Sequence, residues 1–157
     1  MTLDDFVFGH DCGRPLNIRA VEGQIEGSVL LGLGFTCFEE CVYDKEGRHL
    51  NPSFRDYRFP TALDMPNIRT KICSEYDEEG PMGAKEAGEG STAPVGSAIG
   101  NAINYATGLV IKELPITPEK LWRALREHER TGKIEFGAED LPEKFAKMPP
   151  LPQRYNV

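Results

Sequence analysis

Between Ile18 and Phe38, apolar side chains recur at Val21, Ile25, Val29 and Leu33, a four-residue step that predicts one face of a helix. Glycines interrupt the same segment at positions 23, 27, 32 and 34. Each interior glycine costs a helix about 1 kcal/mol against alanine. A helix that keeps four of them is expected to lie against something that comes unusually near: a strand, a second helix or a bound group. A second thin helix is expected over Ala93–Thr107, where Gly96, Ala98, Gly100 and Ala102 leave little side chain to hold a neighbour away. Pro94 falls in its first turn, where a missing N–H is tolerated, and Gly108 ends it as a C-cap.

Around these helices the chain alternates. Phe6-Val7-Phe8 reads as a short strand, Glu39–Tyr43 as another, and Asp44-Lys45-Glu46-Gly47 as a hairpin-type turn. Pro52, Pro60 and Pro66 mark an irregular stretch from Asn51 to Asn67. Ile68 to Tyr76 alternates with Ile68, Ile72 and Tyr76 on one side, as a strand does, and Ile111–Leu114 reads as an edge strand. Thr117-Pro118-Glu119 opens a last helix through an N-cap and a first-turn proline, running past Trp122 and Leu125 to near Glu129. The expected architecture is α+β, a mixed sheet packed with glycine- and alanine-rich helices. One domain is expected over residues 1–132. Residues 133–157, with Pro142, Pro149, Pro150 and Pro152 in a charged stretch, are expected to form an extended tail.

A chain of 157 residues is long enough for one real core. Its formal charge of -7 and pI near 5.0, without a dense Lys/Arg cluster, argue against nucleic acid as a partner. The longest apolar run, Val29 to Phe35, is too short to span a bilayer, and no basic-then-apolar signal segment opens the chain. A cytoplasmic, soluble protein is expected. Cys12, Cys37, Cys41 and Cys73 contain no C-x-x-C pair, so they are expected to be buried free thiols rather than ligands to zinc or an iron–sulfur cluster. His10, His49 and His128 are scattered and form no ligand pattern.

The chemistry gathers in Gly83-Ala84-Lys85-Glu86-Ala87-Gly88-Glu89-Gly90, a glycine-rich loop with one lysine and two carboxylates. Such a loop can approach a ligand closely and deliver a carboxylate as a general base. Two strings precede it. One runs Asp11-Cys12-Gly13-Arg14-Pro15-Leu16-Asn17, then Val21-Glu22-Gly23-Gln24-Ile25-Glu26-Gly27 and Leu31-Gly32-Leu33-Gly34. The other runs Leu50-Asn51-Pro52-Ser53-Phe54-Arg55-Asp56-Tyr57, then Pro60-Thr61-Ala62-Leu63-Asp64-Met65-Pro66. In this order they resemble the C-terminal part of the molybdopterin-binding subunit of the xanthine dehydrogenase and aldehyde oxidase family, from about Phe6 to Leu125.

The resemblance implies roles residue by residue. Glu89 matches the family's glutamate beside molybdenum, a base that takes a proton from a water-derived oxygen as it attacks an electron-poor carbon. Gln24 matches the glutamine that hydrogen-bonds the pterin; a primary amide suits the edge of a heterocycle. Gly23 and Gly27 then supply clearance, and Ala84, Lys85 and Gly88 line the cofactor, with Lys85 orienting the loop or approaching the pterin phosphate. The protein itself is expected to supply no metal ligand, since molybdenum is held through the pterin. Glu86, where many family members carry glycine or another small residue, is read as facing solvent or a partner chain and not as catalytic. Asp11 and Asn17 are expected to build the turn, and Arg55, Asp56 and Tyr57 to order the irregular segment. Ile18 stands where the family usually has proline, which relaxes the turn without touching the chemistry.

The implied activity is hydroxylation of an N-heterocycle, purine or aldehyde with water-derived oxygen. Two alternatives stay open: reductive dehydroxylation of an aromatic thioester at the same centre, and a non-catalytic assembly module retaining the fold. The family's subunit is several times longer than this chain. Most pterin contacts and the other wall of the substrate pocket are therefore expected on a separate piece of that subunit. Iron–sulfur clusters and FAD are expected on further domains or subunits. Alone, the chain is expected neither to hold the cofactor tightly nor to turn over a small-molecule substrate.

Overall fold

The computed structural model describes residues 1–137. The chain runs β1 (Asp5–Asp11), α1 (Ile18–Cys37), β2 (Asn67–Cys73), a short 3-10 turn at Pro81–Gly83, α2 (Ala93–Thr107), β3 (Val110–Ile111), α3 (Pro118–Thr131) and β4 (Glu135–Phe136). The proline-bearing part of the expected tail, with Pro142, Pro149, Pro150 and Pro152, lies outside the described residues. Its first residues do not extend away: β4 pairs with β3, and Lys112 meets Glu135 across the pair at 2.5 Å.

The α+β class is as expected, with a difference in the pairing. Both ladders, β1 with β2 and β3 with β4, are parallel. A helix intervenes between the two strands of each pair, and a crossover of that kind returns the chain in the same direction. Antiparallel pairing among the described residues is limited to isolated bridges, Gly13 with Ala84 and Tyr43 with His49.

β1 and β2 pair in register from Asp5–Asn67 to Asp11–Cys73. Phe6 and Phe8 point inward from β1 and are buried, while Val7 between them is exposed. They meet α1, whose residues Ile25, Val29, Leu33 and Cys37 form one buried strip at a four-residue step. Val95, Ile99 and Ile103 make the matching strip on α2. Asn17 caps α1 through its side-chain oxygen, which accepts from the amide of Ala20 at 3.1 Å.

The two helices touch where the glycines predicted a close approach. A Cβ at Gly32 would stand 2.6 Å from Val95 Cβ and 3.0 Å from the carbonyl oxygen of Thr92. Gly96 faces α1 in turn, 3.2 Å from Thr36 Oγ1 on the same measure. Gly23, Gly27 and Gly100 meet nothing within 4 Å. Gly32→Ala is therefore expected to destabilise the chain by about 1–3 kcal/mol, as overpacking does. Gly100→Ala should be neutral or stabilising by up to about 1 kcal/mol, because only helix propensity changes. Chemical denaturation of the two variants side by side checks this; equal midpoints would show that α1 and α2 are not held at this separation.

Elsewhere the expectations shift in detail. Glu39–Tyr43 forms no strand, because the side chain of Asn51 takes the place of a ladder. Its Oδ1 accepts from Val42 N at 2.9 Å and its Nδ2 donates to Glu40 O at 2.7 Å. The turn that follows is present, with Asp44 Oδ1 accepting from the amides of Glu46 and Arg48. β2 stops at Cys73 rather than Tyr76, since β1 ends opposite at Asp11. The edge strand lies at Val110–Ile111 rather than Ile111–Leu114. α3 begins at the Thr117 cap and runs to Thr131, closed by Gly132 in the left-handed region. The cysteines are free; Cys12 and Cys37 are buried but Cys41 and Cys73 are exposed. Burial pushes the Cys37 thiol up to about 11. In the irregular segment Tyr57 donates its hydroxyl to Glu39 at 2.7 Å, a bond that raises its pKa to about 12. No helix among the described residues is long and apolar enough to cross a membrane.

Candidate functional site

The turn after β1 and the glycine loop, some seventy residues apart in sequence, are joined by backbone. Arg14 N donates to Gly83 O and Lys85 N to Cys12 O, both at 2.8 Å, and Gly13 bridges Ala84 between them. Gly13 sits at φ 62, in the left-handed region, with its α-carbon turned toward the loop. A Cβ there would press into the carbonyl oxygen of Gly83 and stand 2.9 Å from the amide nitrogen of Lys85. Only glycine fits both demands.

Side chains reinforce the junction. Asp11 Oδ2 takes the Lys85 ammonium at 2.6 Å, while Oδ1 accepts from Gly13 N at 3.0 Å and Glu75 N at 3.2 Å. The lysine hydrogen bond, with help from the two amides, holds the Asp11 carboxyl down to about 2. Asp11 thus builds the turn, as its position predicted, and also fixes the loop. The same pair gives Lys85 a definite place: its ammonium is turned onto Asp11, and the carboxylate raises its pKa.

Junction, loop and the first turns of α1 enclose a cleft of about 250 Å³, lined by Cys12, Arg14–Asn17, Ala20, Val21, Gln24, Ala84, Lys85, Ala87 and Gly88. Four of the five expected cofactor contacts, Gln24, Ala84, Lys85 and Gly88, are brought together there. Gly23 is not among the lining residues and faces open space. The Gln24 side chain is exposed and has no hydrogen-bond partner among the described residues. The Arg14 guanidinium has no ion-pair partner among them either.

Glu89 follows Gly88 in the same loop. It is exposed, and its carboxylate makes no hydrogen bond or ion pair among the described residues, whereas its backbone is held at both ends. Its N–H donates to Glu86 Oε2 at 3.2 Å, and its carbonyl accepts from Thr92 N at 2.9 Å at the start of α2. Ser28, buried on α1, donates its hydroxyl to Gly88 O at 2.7 Å and ties the loop to the helix.

Two of these residues do not stand out in the sequence. Ser28 is legible there in principle, since a hydroxyl within the buried strip of a helix must find a partner. Glu86 is exposed, as expected, but its carboxylate is not left to solvent alone. It folds back onto its own loop and accepts the amides of Gly88, Glu89 and Gly90. Those amides, Glu89's foremost, lower its pKa.

Comparison with known proteins follows the same lines. Residues 1–66 match the family model of the molybdopterin cofactor-binding domain. The chain is 37% identical over 123 residues to the putative xanthine dehydrogenase molybdenum-binding subunit XdhA of Escherichia coli K12, a match covering 78% of this chain and 16% of that one. It is 38% identical over 119 residues to the nicotine 6-hydroxylase large subunit of Paenarthrobacter nicotinovorans, covering 74% of this chain and 15% of the relative. Among solved structures, quinoline 2-oxidoreductase from Pseudomonas putida 86 superposes with a TM-score of 0.75 at 35% identity, over 80% of this chain and 16% of that one. The chain thus spans a small part of the length of these relatives. Matched motifs, fold and relatives agree: the chain belongs to the xanthine dehydrogenase and aldehyde oxidase family and corresponds to the C-terminal part of its molybdopterin-binding subunit.

Proposed function

We propose that this chain forms one wall of the molybdenum cofactor site of a hydroxylase acting on an N-heterocycle, purine or aldehyde, with Glu89 as the base. The observation that carries the reading is the joining of the two motifs at one cleft, which Gln24 lines and beside which Glu89 follows Gly88, both side chains without partners among the described residues. The Gln24 amide on α1 and the Glu89 carboxylate beside Gly88 have no described group to bond. Both are exposed and uncommitted within the chain, so each is free to bond a group bound against this face.

The residues present fit a pterin. The cleft is bounded mainly by apolar side chains and backbone; of its two primary amides, Asn17 caps α1 with its oxygen, and Gln24 is left able to donate and accept at a heterocycle edge. Gln24, Ala84 and Gly88 would hold the pterin, and Gly23 leaves the flank of α1 open beside Gln24. Lys85 serves by keeping the loop against Asp11. The cation available to a phosphate is Arg14, which lines the cleft without an ion pair among the described residues. Bound there, the cofactor would supply a two-electron redox centre and a Lewis acid. The chain's own task is to place the Glu89 carboxylate at the reacting group, where it accepts a proton.

One wall does not make a site. Between β1 and the outer face of α2 lies an apolar groove of about 650 Å³, with Val7, Ala98 and Ala102 along it. An apolar groove left open to solvent suits a covering partner. The remainder of the molybdopterin subunit is assigned to it as the covering partner, with an iron–sulfur subunit and an FAD subunit as the electron path beyond. The test is capture of the chain from its native cells, followed by metal and pterin analysis and assay on a panel of purines, N-heterocycles and aldehydes. Stoichiometric molybdenum with a longer molybdopterin chain and turnover of one panel member is the expected result. A metal-free chain captured without such a partner would overturn the reading.

A further inference from the structure

We propose that Glu86 is the positioning residue of this site: it closes the Gly88–Gly90 turn and thereby sets where the Glu89 carboxylate stands. The inference rests on the reading of Glu89 as base. Glu86 Oε2 accepts the amides of Gly88 at 2.9 Å and Glu89 at 3.2 Å, and Oε1 accepts that of Gly90 at 2.9 Å. Three consecutive N–H groups aimed into one concavity form an anion cradle. Here the occupant comes from the loop itself, and hydrogen bonds to an ionised acceptor are roughly twice as strong as neutral ones.

The cradle is anchored from outside. The carbonyl oxygen of Glu86 accepts from His10 Nε2 at 3.0 Å, tying the turn to the end of β1. Gly88 O takes the Ser28 hydroxyl, tying it to α1. A Cβ on Gly90 would run into Glu86 Oε1, so the glycine after Glu89 is what allows the carboxylate to seat. Two glutamates three residues apart are thus in opposite conditions. Glu86 spends both oxygens on the backbone, its charge favoured there by the amides. Glu89 spends none and hangs from a peptide that Glu86 holds.

A base must stand within about 0.5 Å of its productive position, and a 1 Å error can lower a rate about a hundredfold. The test uses Glu86→Ala and Glu86→Gln in two settings. In the full chain, amide hydrogen exchange is read at Gly88, Glu89 and Gly90, with no cofactor needed. In the assembled enzyme, kcat and KM are read on whichever panel substrate the wild type turns over. Glu86→Ala is expected to speed exchange at all three amides by about tenfold or more. It should lower kcat by about ten- to a hundredfold with KM within about twofold. Glu86→Gln keeps one carbonyl acceptor, so protection should survive on one side of the turn, at Gly88 and Glu89 or at Gly90, with an intermediate kcat.

Unchanged exchange in Glu86→Ala, or an unchanged kcat, overturns the proposal. If the alanine variant does not fold, equal protection of all three amides in Glu86→Gln overturns it alone. Should Glu89→Gln retain turnover, the base assignment fails by itself, and the exchange data still decide whether Glu86 holds the turn.

Discussion

Glu89→Gln is expected to lower turnover of the assembled enzyme by about a hundred- to ten-thousandfold, the range that removing a general base commands. Molybdenum content and thermal stability should stay near wild type. The second half of that expectation comes from the structure. The Glu89 carboxylate bonds to no described group, so the fold loses no contact when its charge is removed. What holds the residue is backbone, through Glu86 Oε2 and the amide of Thr92, and both bonds survive the substitution. Glutamine also keeps the size and shape of the side chain. A drop in kcat without loss of cofactor would therefore report the proton acceptor alone. Retained turnover would remove Glu89 from the chemistry, and loss of molybdenum together with activity would make it a cofactor ligand instead of a base. Steady-state kinetics with metal analysis on the same preparation separates these outcomes.

Much of the scaffold behind Glu89 is legible in the sequence because its signals are local. The four-residue steps of α1 and α2 are periodic, and Thr117 with Pro118 and Gly132 bounds α3 by capping chemistry that acts within one turn. Even the contact between α1 and α2 is visible as glycines that a free helix would not keep, although Gly32 and Gly96 serve it while Gly23 and Gly27 do not. What the sequence hides depends on conformation. Asn51 replaces a strand at Glu40–Val42 by bonding backbone about ten residues away, which leaves no periodic trace. Glu86 escapes a reading of the residues for a related reason. Its three bonds are made to residues two to four positions on, but only if the turn takes one conformation, and composition does not reveal that. The site lies between these cases. That Gln24 and Gly88 face one cleft follows from backbone bonds between Arg14 and Gly83 and between Lys85 and Cys12, pairings the residues alone do not announce. Only the resemblance of the ordered motifs foretells it.

Those same bonds make Gly13 a position where a single methyl group should damage the fold through both backbone strain and collision. Gly13→Ala places a side chain in the left-handed region, which costs about 1–2 kcal/mol for a residue with a Cβ. The new carbon would also press into the Gly83 carbonyl and stand 3.1 Å from Lys85 Cγ, so the loop must move away. Moving it strains the 2.8 Å bonds from Arg14 to Gly83 and from Lys85 to Cys12, and with them the Asp11–Lys85 pair. A total loss of about 2–4 kcal/mol is expected, as when strain and a broken network coincide. Gly47 supplies the control: it sits at φ 79 and an added Cβ there would meet nothing within 4 Å, so Gly47→Ala carries the backbone cost without the collision. The difference between the two variants in denaturant midpoint measures the collision itself. Because the displaced loop is also one side of the cleft, the assembled Gly13→Ala enzyme should lose pterin and molybdenum, whereas Gly47→Ala should keep both. Equal stability and equal metal content in the two variants would mean that the turn after β1 and the Glu89 loop do not depend on each other, and that the cleft between them is not held by this junction.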